Sequence, residues 1–168
     1  MVKDFVITRD FDAPRPLLFS CFTDVDRLAR WWGPKGIAII RPKLDLRPGG
    51  MFHYGMQSGE GKVMWGRMMF REVVAPERIV FLNSFSDENG GLARAPFFDN
   101  KWPLEILTRF DFAELGANRS RFTVTWTPHN ASAEEQAMFD ANHASMNGGW
   151  TGSLDKLTDL IATLNAKD

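Results

Sequence analysis

The stretch LEILTRFDFAELGANRSRFTVTWT, Leu104 to Thr127, decides the fold. Leu104, Ile106, Thr108, Phe110 and Phe112 alternate with Glu105, Arg109 and Asp111, the period of a half-buried strand. Gly116-Ala117-Asn118 turns the chain, after which Phe122, Val124 and Trp126 oppose Thr123, Thr125 and Thr127. So short a turn demands antiparallel pairing, because parallel strands need long crossovers. Downstream, Ser132-Ala133-Glu134-Glu135 is a capping box: the serine oxygen meets a free amide and Glu135 reaches back. Phe139, His143, Met146, Trp150, Leu154, Leu157, Ile161 and Leu164 then recur at helical spacing. They predict one long amphipathic helix ending the chain, softly interrupted at Gly148-Gly149.

Upstream, the period of two returns several times. Val2 to Phe11 reads as a strand, followed by a helix opening at Asp12-Ala13-Pro14 and carrying Leu17, Leu18, Cys21 and Phe22 on one side. Thr23-Asp24-Val25-Asp26 caps a second short helix with Leu28, Trp31 and Trp32, and Gly33-Pro34 stops it. Strands follow over Ile37–Leu46, Met51–Gln57, Lys62–Val74 and Arg78–Phe85, the third expected to bulge near Gly66. Arg47-Pro48-Gly49-Gly50, Ser58-Gly59-Glu60-Gly61 and Ala75-Pro76-Glu77 are tight turns. Asp87 to Trp102 reads as a long loop whose Phe97-Phe98 pair makes it a candidate lid.

Composition narrows the function. The chain has 168 residues with 20 Lys+Arg against 21 Asp+Glu, which argues against a nucleic-acid partner and suits one domain over 1–168. No run approaches the roughly 20 apolar residues that span a bilayer, so no membrane span is expected. The first residues lack an apolar core and Cys21 stands alone, both pointing to a cytoplasmic protein. There are 14 Phe, 6 Trp and 8 Met but only 1 Tyr, a load that fills a bulky core or lines a cavity. Geometry bears on that choice. Seven strands about 4.8 Å apart make a sheet roughly 30 Å wide, whereas a helix is about 10–12 Å across. The fold class is therefore α+β, a curved antiparallel sheet of about seven strands around the terminal helix, with two short helices after the first strand. The gap left over is a packed aromatic core or a hollow.

Trp31-Trp32-Gly33-Pro34, Arg47-Pro48-Gly49-Gly50, Pro76-Glu77-Arg78-Ile79-Val80 and Gly148-Gly149-Trp150, followed by Leu154 and Leu157, carry a family resemblance. Over Phe5 to Leu164 the chain resembles the START-like (SRPBCC) helix-grip superfamily. Within it, the chain looks like the branch called activator of heat-shock protein 90 ATPase homologue-like. The resemblance implies a curved sheet gripping a C-terminal helix, mostly bacterial single-domain relatives, and hydrophobic small molecules held between sheet and helix.

The chemistry-bearing residues fit binding better than catalysis. His53, His129 and His143 lack metal spacing, so neither a metal nor a cofactor is expected. His53 faces solvent by alternation, whereas His143 lies on the apolar stripe. The leading expectation is a binding protein for a small hydrophobic or aromatic molecule, including lipid-like ones. Its expected lining is Trp32, Phe52, Tyr54, Met56, Met68 and Phe70, with Phe110, Trp126, Phe139, His143, Met146 and Trp150 opposite. Tyr54 and His143 are the polar anchors. A second reading is a cyclase or hydratase using Glu72 or His143 as a pocket acid or base. A third is a chaperone-associated module; it ranks last, since a family name is analogy. A homodimer stays open.

Overall fold

The computed structural model describes residues 3–167. Its first strand, β1, is Phe5–Phe11. Val2, which the sequence places in this strand, lies outside the described residues, and Lys3 and Asp4 precede the strand without regular structure. Helix α1 is Arg15–Thr23, with Pro14 as its N-cap rather than its first helical residue. Helix α2 is Val25–Trp31, capped by the Asp24 carboxylate, which accepts from the Asp26 and Arg27 amides at 3.0 and 3.1 Å. The Trp31 indole N–H donates to the Cys21 carbonyl at 2.8 Å and fastens the two helices together.

The strands continue as β2 Ala38–Leu44, β3 Met51–Gln57, β4 Val63–Val74 and β5 Arg78–Ser86. Then come β6 Leu92–Ala93, β7 Glu105–Gly116 and β8 Arg119–His129. Seven form one antiparallel path in the order β1-β8-β7-β5-β4-β3-β2, and β6 pairs with the end of β5. The expected Asp87–Trp102 loop thus holds a short strand and one tight turn at Phe98–Asn100. The decisive hairpin keeps the alternation read from sequence. Phe110 pairs with Val124 and Thr108 with Trp126, with Ile106, Thr108, Phe110, Phe112, Phe122 and Val124 buried.

Two expectations change. Gly66 is not the bulge, for it pairs regularly between Tyr54 and Phe85. Its missing side chain makes room for a ring: an added Cβ would lie 2.6 Å from the Tyr54 Oη. The irregularity falls between Phe70 and Glu72, beside the point where Gly49 and Gly50 bond the Phe70 backbone. The terminal helix is also two helices, α3 Ala133–Ala141 and α4 His143–Ala166. The break is at Asn142 and not at Gly148-Gly149. The Asn142 side-chain amide donates to the Met138 carbonyl at 2.7 Å, taking the acceptor a helical backbone N–H would use. The Ser132–Glu135 capping box forms as read.

The concave face of the sheet wraps α4, and its two ends are filled differently. Toward the C-terminal half of α4, α1 plugs the sheet with Phe22. That ring lies 4.7 to 5.2 Å from Trp31, Phe110, Phe112 and Phe122, mostly edge to face. Leu154 and Leu157 close this end from the helix with no exposed surface. The other end, around the N-terminal half of α4, is not plugged. No helix among the described residues is long and apolar enough to cross a membrane.

Candidate functional site

The unplugged end holds a cavity of about 580 Å³. Helix α4 explains why it is open. Met146, Gly149, Trp150 and Ser153 share one face of the helix, spaced three and four residues apart, and all four border the cavity. Gly149 brings no side chain, and a Cβ built there would meet nothing within 4 Å. Trp150 forms the partition toward the filled end, 5.5 Å from Trp32, 5.8 Å from Trp126 and 5.9 Å from Phe110. The sheet contributes Tyr54, Met56, Met64, Asn83 and Phe85 from β3 to β5, with Ile106 and Trp126 beyond them.

The β6–β7 connection forms the opposite wall. Phe98 stacks on Trp102 at 5.3 Å, Trp102 leans on Phe139 at 5.8 Å, and Phe97 meets Phe85 at 5.4 Å. Phe98, Asp99 and Asn100 are consecutive left-handed residues, with φ of 61°, 48° and 62°. A run of this kind needs support from its surroundings. Arg94 supplies it by bonding the Trp102 carbonyl at 3.2 Å and pairing with Glu135, while Lys101 pairs with Glu134 at 3.1 Å.

The third wall is the segment after α2. Ser153 Oγ donates to the Gly33 carbonyl at 2.8 Å, and the Lys156 ammonium donates to the Gly33 and Pro34 carbonyls at 3.0 and 3.3 Å. These groups satisfy backbone carbonyls of the segment that follows α2. Burial lowers the pKa of Lys156. Lys35 reaches out to Asp155 at 3.2 Å, and Arg9 meets the same carboxylate at 2.8 Å. Those two cations hold Asp155 below the usual aspartate range.

Inside, the cavity is uncharged. Among the described residues, Lys35 is the one ionisable side chain on its border apart from Tyr54, and its amine points away to Asp155. Burial pushes the Tyr54 phenol up to about 12, with the neighbouring Trp32 side chain acting the other way. Tyr54 is therefore protonated throughout the neutral range. The Trp126 indole nitrogen is shut off from solvent with no hydrogen-bond partner. Among the described residues no three His, Cys, Asp or Glu side chains converge as a metal site would require.

Trp32, Tyr54, Met56, Trp126, Met146 and Trp150, all singled out from sequence, come together on the cavity border. Phe52, Met68, Phe70, Phe110, Phe139 and His143 lie elsewhere. Phe52 is packed beneath Tyr54 at 4.7 Å, and Phe110 is wedged against Phe22 and Phe81. Met68 and Phe70 are shut into the same dense layer, and Phe139 lies behind Trp102. His143 starts α4 between Phe5 and Phe139, at 5.7 and 5.2 Å, with its Nε2 buried and without a hydrogen-bond partner. Glu72 is on the surface, paired with Arg78 at 2.6 Å. His53 stands on the outer face, stacked on Trp65 at 5.2 Å. Sequence reasoning missed Met64, Asn83, Trp102 and Gly149. Gly149 had a readable signal: a glycine three residues after Met146 on an otherwise bulky stripe.

A curved antiparallel sheet that grips a C-terminal helix and leaves a hollow between them defines a helix-grip protein. The chain belongs to the family described as Activator of Hsp90 ATPase homolog 1-like protein, whose sequence pattern matches residues 12–162. It is similar to the solution structure of an Arthrobacter aurescens protein, at 25% identity and a TM-score of 0.78, covering 95% of this chain and 86% of that one. A crystal structure from Mycobacterium smegmatis is similar at 26% identity, TM-score 0.73, with 95% and 94% covered. The AHSA1 protein of Silicibacter pomeroyi shares the fold at 22% identity, TM-score 0.72, with 96% and 99% covered. No match was found among curated proteins.

Proposed function

We propose that this chain is a cytoplasmic binding protein that holds a small hydrophobic or aromatic molecule between the sheet and α4. The observation that carries this reading is a cavity of about 580 Å³ bordered by Trp32, Trp102, Trp126 and Trp150. Small-molecule sites are typically about 300–1,000 Å³, mainly apolar, with a few polar anchors. Tyr54 and Asn83 are the anchors on the sheet side. The register sets them two strands and two residues apart, roughly 12 Å along the sheet, a span suited to a molecule of two or three rings.

A cyclase or hydratase needs an acid or base at the ligand. Neither Glu72 nor His143 borders the cavity, so that reading has less support. The family's name refers to a chaperone activator. The large apolar side chains exposed here, Val6, Met64, Leu92, Phe97 and Leu115, are scattered over different elements, and Met64 and Phe97 rim the cavity.

The test is a thermal-shift and tryptophan-fluorescence screen against apolar ring compounds, run beside Gly149→Leu. A ligand at 100 times its Kd adds about 2.7 kcal/mol of stability. Binding by the native chain that disappears in a folded Gly149→Leu variant supports the reading. Binding that survives in that variant would put the ligand elsewhere and refute it.

A further inference from the structure

The four cations on the cavity's walls, Lys35, Lys156, Arg94 and Lys101, are engaged. Lys35 is paired with Asp155, and Asp155 also takes Arg9. Lys156 gives its ammonium protons to backbone carbonyls, with Trp32 O at 3.5 Å in addition to those of Gly33 and Pro34. Arg94 and Lys101 are spent on Glu135 and Glu134 of α3. What borders the interior is neutral: the Tyr54 phenol, the Trp126 indole N–H, the amides of Asn83 and Asn142 (the latter donating to Met138), and the hydroxyls of Ser84, Ser145 and Ser153. The Ser153 hydroxyl is itself committed to Gly33.

A carboxylate, phosphate or ammonium brought into such an interior loses its water and finds no counter-charge. That exchange disfavours the ionised form even after partial compensation. A hydroxyl, ketone or ester loses far less, and neutral amides and hydroxyls can serve it as donor or acceptor. The aromatic part of the ligand follows from the walls. Indoles come from three separate elements, Trp32 after α2, Trp102 before β7 and Trp150 in α4, so a flat ring meets aromatic faces or edges on several sides. Met56, Met64 and Met146 give the cavity an adaptable border.

We infer that the site selects an uncharged ring compound carrying a hydroxyl or carbonyl group and excludes the ionised analogue of the same skeleton. This rests on the binding reading above and narrows its ligand class.

Three probes with one ring system test it at pH 7: 2-naphthol, methyl 2-naphthoate and the 2-naphthoate anion. Each is titrated by tryptophan quenching into the native chain, Gly149→Leu and Lys35→Ala. The two neutral probes are expected to bind the native chain and to lose binding in Gly149→Leu. The anion is expected to bind about tenfold more weakly than its ester, or worse, a difference of about 1.4 kcal/mol or more. If the anion matches its ester, the charge selection is wrong while the binding reading stands. If it matches and Lys35→Ala weakens it alone, the site recognises an anion at its rim. If none of the three binds, the binding reading and this inference fall together.

Discussion

The two ends of the concave sheet face carry the same kinds of side chain and are packed in opposite ways. At the filled end, Phe22 reaches across from α1 into Phe110, Phe112 and Phe122, and α4 adds Leu154 and Leu157. At the hollow end, Phe97, Phe98, Trp102 and Trp126 are just as large, yet α4 answers them with Ser145, Gly149 and Ser153 beside Met146 and Trp150. Helix α3 backs the Trp102 wall through Phe139 but lends the hollow no lining side chain. The hollow therefore comes from small residues on one half of one helix and from the reach of α1, not from any shortage of apolar bulk. An interior that packs to organic-crystal density elsewhere stays open only where no side chain is supplied to fill it.

That contrast can be broken or sharpened by substitution. Phe22→Ala should be the most damaging change, costing about 3–5 kcal/mol, because four aromatic rings lose a common partner in a region that cannot collapse. Urea unfolding measures this, and a cost near that of a surface substitution would mean the filled end is looser than described. Gly66→Ala comes next, at about 1–3 kcal/mol, since its Cβ would drive into the buried Tyr54 ring from the sheet side. Phe97→Ala, in the hollow half, should cost about 1 kcal/mol or less, as its side chain is 42% exposed and touches only Phe85 and Phe98 among the aromatic rings.

The sign reverses at Gly149. Replacing it with leucine should leave stability unchanged or raise it by up to about 1 kcal/mol, because glycine is a poor interior helix residue and the new side chain enters vacant volume. A marked loss would show the cavity to be narrower than the distances imply.

The smallest effect concerns the clamp at the third wall. Asp155 is held below the ordinary aspartate value by Arg9 and Lys35, so the unfolded chain binds its proton more readily than the folded chain does. Its contribution is therefore complete above the ordinary value and fades as pH falls through the depressed one. Asp155→Asn should lower stability slightly at neutral pH and leave it unchanged at the acid end of a pH series.

Much of this organisation was legible in the chain. Alternation in 104–127, the Ser132–Glu135 box and the Asp24 cap all act locally, and each formed where it was read. Alternation also separated inward from outward residues, which is why His53 was correctly set outside. It could not separate the two ends of the inward face. Phe110 and Trp126 belong to the same hairpin face, but Phe110 is sealed by Phe22 of α1 and Trp126 is not. That difference depends on where α1 comes to rest, a long-range outcome with no periodic signal. The break at Asn142 was hidden for a related reason. The apolar stripe runs straight through it, and a single side-chain hydrogen bond to Met138 makes the corner.

We propose that the hollow end takes a neutral ring. A crystal structure of the chain grown with methyl 2-naphthoate tests it most directly. Density for the naphthalene is expected between Trp102 and Trp150, with Gly149 beneath it and the filled end unmoved. A cavity closed by inward collapse of Phe98 and Met146, with the probe absent or on the surface, would contradict it.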